Sequence, residues 1–226
     1  MAVPLQKERE QVASVMRRLY CQGLTTCSGG NVSMRCGEEV LITASGTDKG
    51  EIAAAGVGIV TLGGEKLTPK LRLSMETEMH LEIYRNRPDA AAVVHAHPAT
   101  ASAFAAMERE IDTRLTAETW QVLGRPVIAP YALMGTASLA SLVGRASRDG
   151  STIIMENHGV VTVGGGLLQA FERMELLEAA AKMTWIIESM GAAPRRLSGE
   201  QLHEIEEKYG GGSRNNAPHS FPKKET

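Results

Sequence analysis

Apolar residues recur at helical spacing in KEREQVASVMRRLYCQGL, 7–24, where Val12, Val15, Met16, Leu19 and Tyr20 share one side and Gly23 stops the helix. The pattern then shortens. NVSMR and EVLIT predict two short strands with GEE as the turn between them, and AAGVGIVTLGGEKL predicts another strand and a Gly-Gly turn. SMETEMHLEIYRNRP, 74–88, predicts a helix with Met75, Met79, Leu81, Ile83 and Tyr84 on its apolar side, ended by Pro88. AAAVVHAHP, 90–98, follows as a strand and ATASAFAAME as a helix. PVIAPYALMGTASLASLVGRAS predicts a strand, a turn and a helix, and STIIMENHGVVTVGGG, 151–166, two strands around a polar break at Glu156–Gly159. LLQAFERMELLEAAAKMTWIIESMG, 167–191, is a long amphipathic helix. No repeat or linker interrupts residues 1–209, so one α/β domain is expected there. The segment 210–226, rich in Gly, Asn and Pro, is expected to be a disordered tail.

Composition narrows the function classes. Of 226 residues, 43% are hydrophobic and only 4% aromatic, so the core must rest on aliphatic side chains. A formal net charge of −2 argues against a general nucleic-acid binder, which carries a basic excess. No stretch approaches the roughly 20 apolar residues of a membrane span. The N-terminus turns charged within seven residues without a signal-peptide core, which favours the cytoplasm. The three cysteines, Cys21, Cys27 and Cys36, are odd in number and lack CxxC spacing, which suits a reducing compartment; no role is assigned to them.

The histidines carry the candidate chemistry. His95 and His97 lie two apart at the end of an apolar strand and so share a face, and His158 sits in the polar break of another β segment. These residues are either polar groups satisfied by hydrogen bonds or three imidazoles of a metal site that keeps a position for water or substrate. A polar break inside an apolar strand costs stability unless its groups are satisfied, and coordination would satisfy them. Glu76 and His80, four apart, share one helix face, and an ordinary surface pair is expected for His80. Ser74 near the helix start can cap it and hold an anion there, with Glu76 one turn in and facing the metal. His203, in a charged run, and His219, in the tail, are expected to be solvent-exposed.

Two further stretches, SGGNVS (28–33) and TASGTDKG (43–50), combine glycine with Ser, Thr and Asn. They are read either as a phosphate cradle or as a pair of turns. No P-loop or GxGxxG fingerprint occurs, so nucleotide binding is not indicated.

In their order, SGGNVS, LITASGTD, SMETEMH, VVHAHPA, APYALMGT and ENHGVV resemble the class II aldolase/adducin family over roughly residues 5–190, and within it most the members that cleave fuculose 1-phosphate. The resemblance implies a three-layer α/β/α domain with a central, mainly antiparallel sheet. It implies a homotetramer with active sites at subunit contacts, and a zinc ion, or another divalent ion, held by His95, His97 and His158. Glu76 matches the family's acidic residue, a resting metal ligand and a proton carrier once substrate binds. Asn31, Ser45, Gly46 and Ser74 match its phosphate-binding positions, and Tyr209 the tail tyrosine of the aldolases. The implied reaction is retro-aldol cleavage of a ketose 1-phosphate to dihydroxyacetone phosphate and an aldehyde, the metal stabilising the charge of the enediolate.

Two departures bear on substrate. Met75 stands where the aldolases carry a second serine. TRLTAETWQVLG offers Thr116, Glu118 and Trp120 where they place a tyrosine. Related members dehydrate methylthioribulose 1-phosphate, decarboxylate sugar-acid phosphates or epimerise pentulose phosphates at C4; glutamate at 76, where the epimerases have aspartate, weighs against the last. Adducin-like interaction modules tend to lose the metal ligands, all of which are present in this chain.

Overall fold

The computed structural model describes residues 5–210, so the expected tail beyond Gly210, with His219, lies outside the described residues. One seven-stranded sheet organises the chain. Its strands are β1 (Asn31–Cys36), β2 (Glu39–Thr43), β3 (Val57–Thr61), β4 (Ala92–Ala96), β5 (Val127–Ala129), β6 (Thr152–Met155) and β7 (Gly159–Gly164), in the order β3-β2-β1-β4-β7-β6-β5. Every neighbouring pair is antiparallel except β5 and β6.

Helices cover both faces because side chains alternate along each strand. Ala92, Val94 and Ala96 of β4, with Leu41 and Val160, pack against helices α1 (Gln6–Cys21), α3 (Ala99–Ala105) and α6 (Leu167–Ser189). Val93, Val40, Ile42, Val161 and Val163 point the other way, toward α2 (Thr77–Asn86) and α5 (Ala137–Ala146). The expected three layers and mainly antiparallel sheet are therefore present.

The boundaries differ from the pattern in instructive places. The β1–β2 turn is Gly37–Glu38 alone, with Gly37 at φ 65° and Glu39 already paired with Cys36. Tyr20 lies off the buried stripe of α1, 41% exposed. Helix α2 starts at Thr77 rather than Ser74, because the Ser74 carbonyl accepts both the N–H and the hydroxyl of Thr77, a turn ahead of the helix. Two helices fall where the pattern showed none. In α4 (Ala117–Leu123), Thr116 caps the first turn. In α7 (Gly199–Tyr209), Ser198 and Gln201 form a reciprocal capping box and no residue is buried. No helix among the described residues is long and apolar enough to cross a membrane.

Candidate metal centre and active site

The antiparallel register sets Asn31 of β1 opposite His95 of β4, on the sheet face that α2 covers. His95 is fully buried, and His97 follows just beyond the strand end. His158 is brought in by the turn between β6 and β7, where Met155 pairs with Gly159 and Asn157 adopts φ 53°. The three imidazoles converge: the ring centroids of His95 lie 4.6 Å from His97 and 5.0 Å from His158, and one nitrogen from each ring falls within 4.8 Å of the others.

Glu76 completes the cluster. Its carboxylate oxygens stand 3.1 Å from Nε2 of His95 and 3.1 Å from Nε2 of His158. It immediately precedes α2 rather than lying one turn in. His95 Nδ1 is 2.9 Å from the Val160 carbonyl. A carbonyl only accepts, so Nδ1 carries the hydrogen and the Nε2 lone pair points at Glu76. Lone pair against carboxylate is unfavourable unless a cation or proton lies between them. His95 Nε2, Glu76 Oε1 and His158 Nδ1 are all buried without a hydrogen-bond partner. A histidine whose second nitrogen is tied to a backbone carbonyl is the usual form of a metal ligand. Three imidazoles and a carboxylate, with orphaned buried atoms, fit a divalent ion such as zinc.

Electrostatics agree with this donor set. Burial opposes the charge on Glu76, but His95, His158 and Asn31 outweigh it and hold the carboxyl well below its ordinary range. Burial, reinforced by His95 and His158, holds His97 down to about 4, leaving a neutral imidazole able to donate its lone pair. For His95, burial is overcome by Glu76, which pushes the imidazole upward, the proton standing in for a metal cation.

Close packing fixes the rings. A Cβ on Gly159 would lie 2.6 Å from His97 Cδ2 and 2.8 Å from the Ala96 carbonyl, and one on Gly30, at φ 67°, 2.7 Å from the His95 carbonyl. Gly159→Ala is therefore expected to displace His97, weaken metal binding and cost about 1–3 kcal/mol of stability. Chelator competition together with thermal unfolding checks both effects.

The other candidate residues gather beside Glu76. Asn31 Nδ2 donates to Glu76 Oε2 at 2.8 Å and to Ser74 Oγ at 3.0 Å; Ser74 Oγ also accepts the Glu76 N–H at 3.2 Å. The Ser45 N–H donates to the Arg72 carbonyl at 2.8 Å, and Ala44 bridges to Leu73. These contacts set the Ser45–Gly46 loop, with Gly46 exposed at φ 71°, alongside the segment leading to Ser74. Met75 points outward, 60% exposed, against Gly135. Tyr209 ends α7, 56% exposed, and takes no part in the hydrogen bonds of the cluster. Glu118 is exposed on α4, Thr116 caps that helix, and Trp120 Nε1 donates to Glu206. His203 is exposed as expected.

His80 is a correction. It is fully buried, not a surface residue: α2 turns its Glu76–His80–Tyr84 side onto β1, where Asn31 and Ser33 supply polar partners.

Sequence reasoning also passed over Lys49. It is 2% exposed, donates from Nζ to the Ala44 carbonyl at 2.8 Å and to Thr47 Oγ1 at 3.2 Å, and underlies the Ser45–Gly46 loop. Burial lowers it to about 8. Between there and its unfolded value near 10.4 the unfolded chain binds more protons, so stability rises with pH in that window, by at most roughly 3 kcal/mol. Denaturant titrations from pH 7 to 11 should show the rise in the native chain and its loss in Lys49→Met.

A cavity of about 550 Å³ lies elsewhere, lined by Asp112, Trp120 and four arginines. Its Arg109, Arg114, Arg125 and Arg196 already pair with Glu188, Asp112, Glu110 and Asp112, and it contains none of the histidines. Its charges are already matched, whereas the histidine cluster holds buried polar atoms without partners.

The chain is similar to known proteins over most of its length. The chain is 34% identical over 172 residues to an L-fuculose phosphate aldolase of Methanococcus maripaludis, covering 76% of this chain and 93% of the relative. It is 31% identical over 212 residues to the 5-deoxy-D-ribulose 1-phosphate aldolase of Bacillus thuringiensis, covering 92% and 97%. A 3-oxo-tetronate 4-phosphate decarboxylase of Pectobacterium atrosepticum is 30% identical over 188 residues, covering 80% and 85%. A solved L-fuculose 1-phosphate aldolase superposes with a TM-score of 0.81 at 27% identity, covering 92% of this chain and 98% of that one. The sequence profile of the Class II Aldolase and Adducin N-terminal domain matches residues 10–185, which include the three histidines and Glu76, and the chain belongs to that family.

Proposed function

We propose that the protein is a zinc-dependent lyase that cleaves a ketose 1-phosphate of the fuculose 1-phosphate type to dihydroxyacetone phosphate and an aldehyde. The observation that carries this reading is the convergence of His95, His97 and His158 on the buried Glu76 carboxylate, next to the Asn31–Ser74 pair. His95, His97 and His158, with Glu76 at rest, are the residues that would hold the ion. When bound, zinc supplies a Lewis acid for the negative charge that develops as the C–C bond breaks.

The chain's own groups do the rest. Ser74 Oγ, Asn31 Nδ2 and the Ser45–Gly46 loop are assigned to the substrate phosphate, so that binding away from the reacting carbons fixes their position. Glu76, kept ionised by its neighbours, takes the proton from the carbon beside the carbonyl in the condensation direction and returns it there in cleavage. In condensation the proton for the aldehyde oxygen is assigned to the Tyr209 phenol, and in cleavage the phenolate takes it back from the substrate hydroxyl; the exposed side chain would reach a site on a neighbouring copy. Exposed Met75, Tyr131, Leu133 and Met134 on one part of the surface, with Trp185 and Ile186 on α6 and Met190 just past its end, support a homotetramer. The three cysteines are free, in keeping with a cytoplasmic enzyme, and residues 1–209 are assigned to the catalytic domain.

The decarboxylase relative favours a second reading, loss of carbon dioxide from a 3-oxo sugar-acid phosphate at the same site. Product analysis separates the two. Zinc-loaded protein is incubated with fuculose 1-phosphate, ribulose 1-phosphate, 5-deoxyribulose 1-phosphate and 3-oxo-tetronate 4-phosphate. Dihydroxyacetone phosphate from the ketose phosphates supports the aldolase; carbon dioxide from the last alone moves the protein to the decarboxylase branch.

A further inference from the structure

Behind Asn31 runs a buried chain of hydrogen bonds that the reaction as described does not use. His80 Nε2 lies 2.5 Å from Asn31 Oδ1, His80 Nδ1 lies 2.7 Å from Ser33 Oγ, and Ser33 Oγ lies 2.7 Å from Tyr84 Oη. Ser33 and His80 are fully buried and Tyr84 is 1% exposed, so water does not substitute for any link. Three polar side chains and a phenol in a sheet–helix interface cost free energy unless every donor meets an acceptor.

The direction of the chain follows from its anchor. The Glu76 carboxylate only accepts, so the Asn31 NH₂ must face it, and one of its two hydrogens also serves Ser74 Oγ. Asn31 Oδ1 is then turned to His80 and needs a donor, which makes Nε2 the protonated nitrogen. Nδ1 consequently accepts from the Ser33 hydroxyl, and Ser33 accepts from the Tyr84 O–H. A second proton would place a charge on a fully buried ring, which costs free energy, so the imidazole is neutral and carries the one hydrogen this order requires.

We infer that His80 is a positioning residue: through Tyr84–Ser33–His80 it locks the Asn31 amide with its NH₂ toward Glu76 and the phosphate pocket. A reversed amide would aim a carbonyl at the Glu76 carboxylate and present an acceptor, instead of a donor, to an anionic substrate. Both the setting of Glu76 and the binding of phosphate therefore depend on a ring that touches neither. The consequence for turnover rests on the aldolase reading above; the locked tautomer does not.

Two measurements test this. In metal-free protein, ¹⁵N-edited NMR of the His80 ring should show a neutral Nε2–H tautomer with Nδ1 unprotonated; the Nδ1–H tautomer would overturn the inference whatever the enzyme's substrate. In zinc-loaded protein, His80→Leu should lower kcat/KM about 10–100-fold, as loss of an outer hydrogen-bonding partner does. His80→Gln, whose amide N–H can replace Nε2–H toward Asn31, should recover most of the loss. Equal impairment of two folded variants would reduce His80 to a packing residue, and unchanged kcat/KM in His80→Leu would also refute the role. Should no ketose phosphate be cleaved by the native chain, the aldolase reading fails while the tautomer still decides the positioning.

Discussion

Glu76→Gln is expected to lower turnover by about 10³-fold while bound zinc stays near one ion per chain. The carboxylate is 9% exposed and bonded through Oε2 to Asn31, and an amide of the same shape keeps that contact by accepting through its own oxygen. It also leaves His95, His97 and His158 as three nitrogen donors. What the amide lacks is a basic oxygen, so no proton moves to or from the substrate carbon; general acid–base groups contribute about 10²–10⁴-fold. Steady-state kinetics beside metal analysis of the same preparation checks the result. Turnover within a few-fold of the native enzyme would remove Glu76 from proton transfer.

His95→Ala acts on the other half of the site and should lose both metal and turnover. The ring is fully buried with Nδ1 tied to the Val160 carbonyl, so truncation removes a nitrogen donor, strands a buried acceptor and opens space beside Val161. Outer partners of a metal site cost roughly 10–100-fold in affinity, and loss of a ligand itself should exceed that. Because an ion that binds only the folded state stabilises it, zinc should raise the unfolding temperature of the native chain well above that of the variant. Full zinc occupancy in His95→Ala, by equilibrium dialysis at buffered free zinc, would exclude His95 from the ligand set.

Much of this architecture was legible in the pattern of apolar residues. Strand β4 ends where VVHAHP runs into proline, and TIIM and GVVTVG flank ENHG as two strands around a turn. The spacing therefore indicated which residues leave a strand end together. It did not show that Asn31 lies opposite His95, because register is a property of the paired strands. His80 was misread for a related reason: four-residue spacing says that Glu76 and His80 share a side of the helix, not that this side is buried. Polar partners on β1 make that burial tolerable, and they lie more than forty residues away. Helix α7 escaped notice because it buries no residue; its signal is the Ser198–Gln201 capping box rather than an apolar stripe. Lys49 carries no signal in the sequence, and only the fold of 44–49 onto itself places its ammonium beneath a candidate phosphate loop.

The most direct test of the account is a zinc titration of metal-free protein with fuculose 1-phosphate present, following dihydroxyacetone phosphate. The account predicts no release without metal, then a rate that climbs linearly and levels at one zinc per chain. Release from the metal-free protein at the rate of the loaded one, or none from folded protein carrying its full zinc, would contradict it.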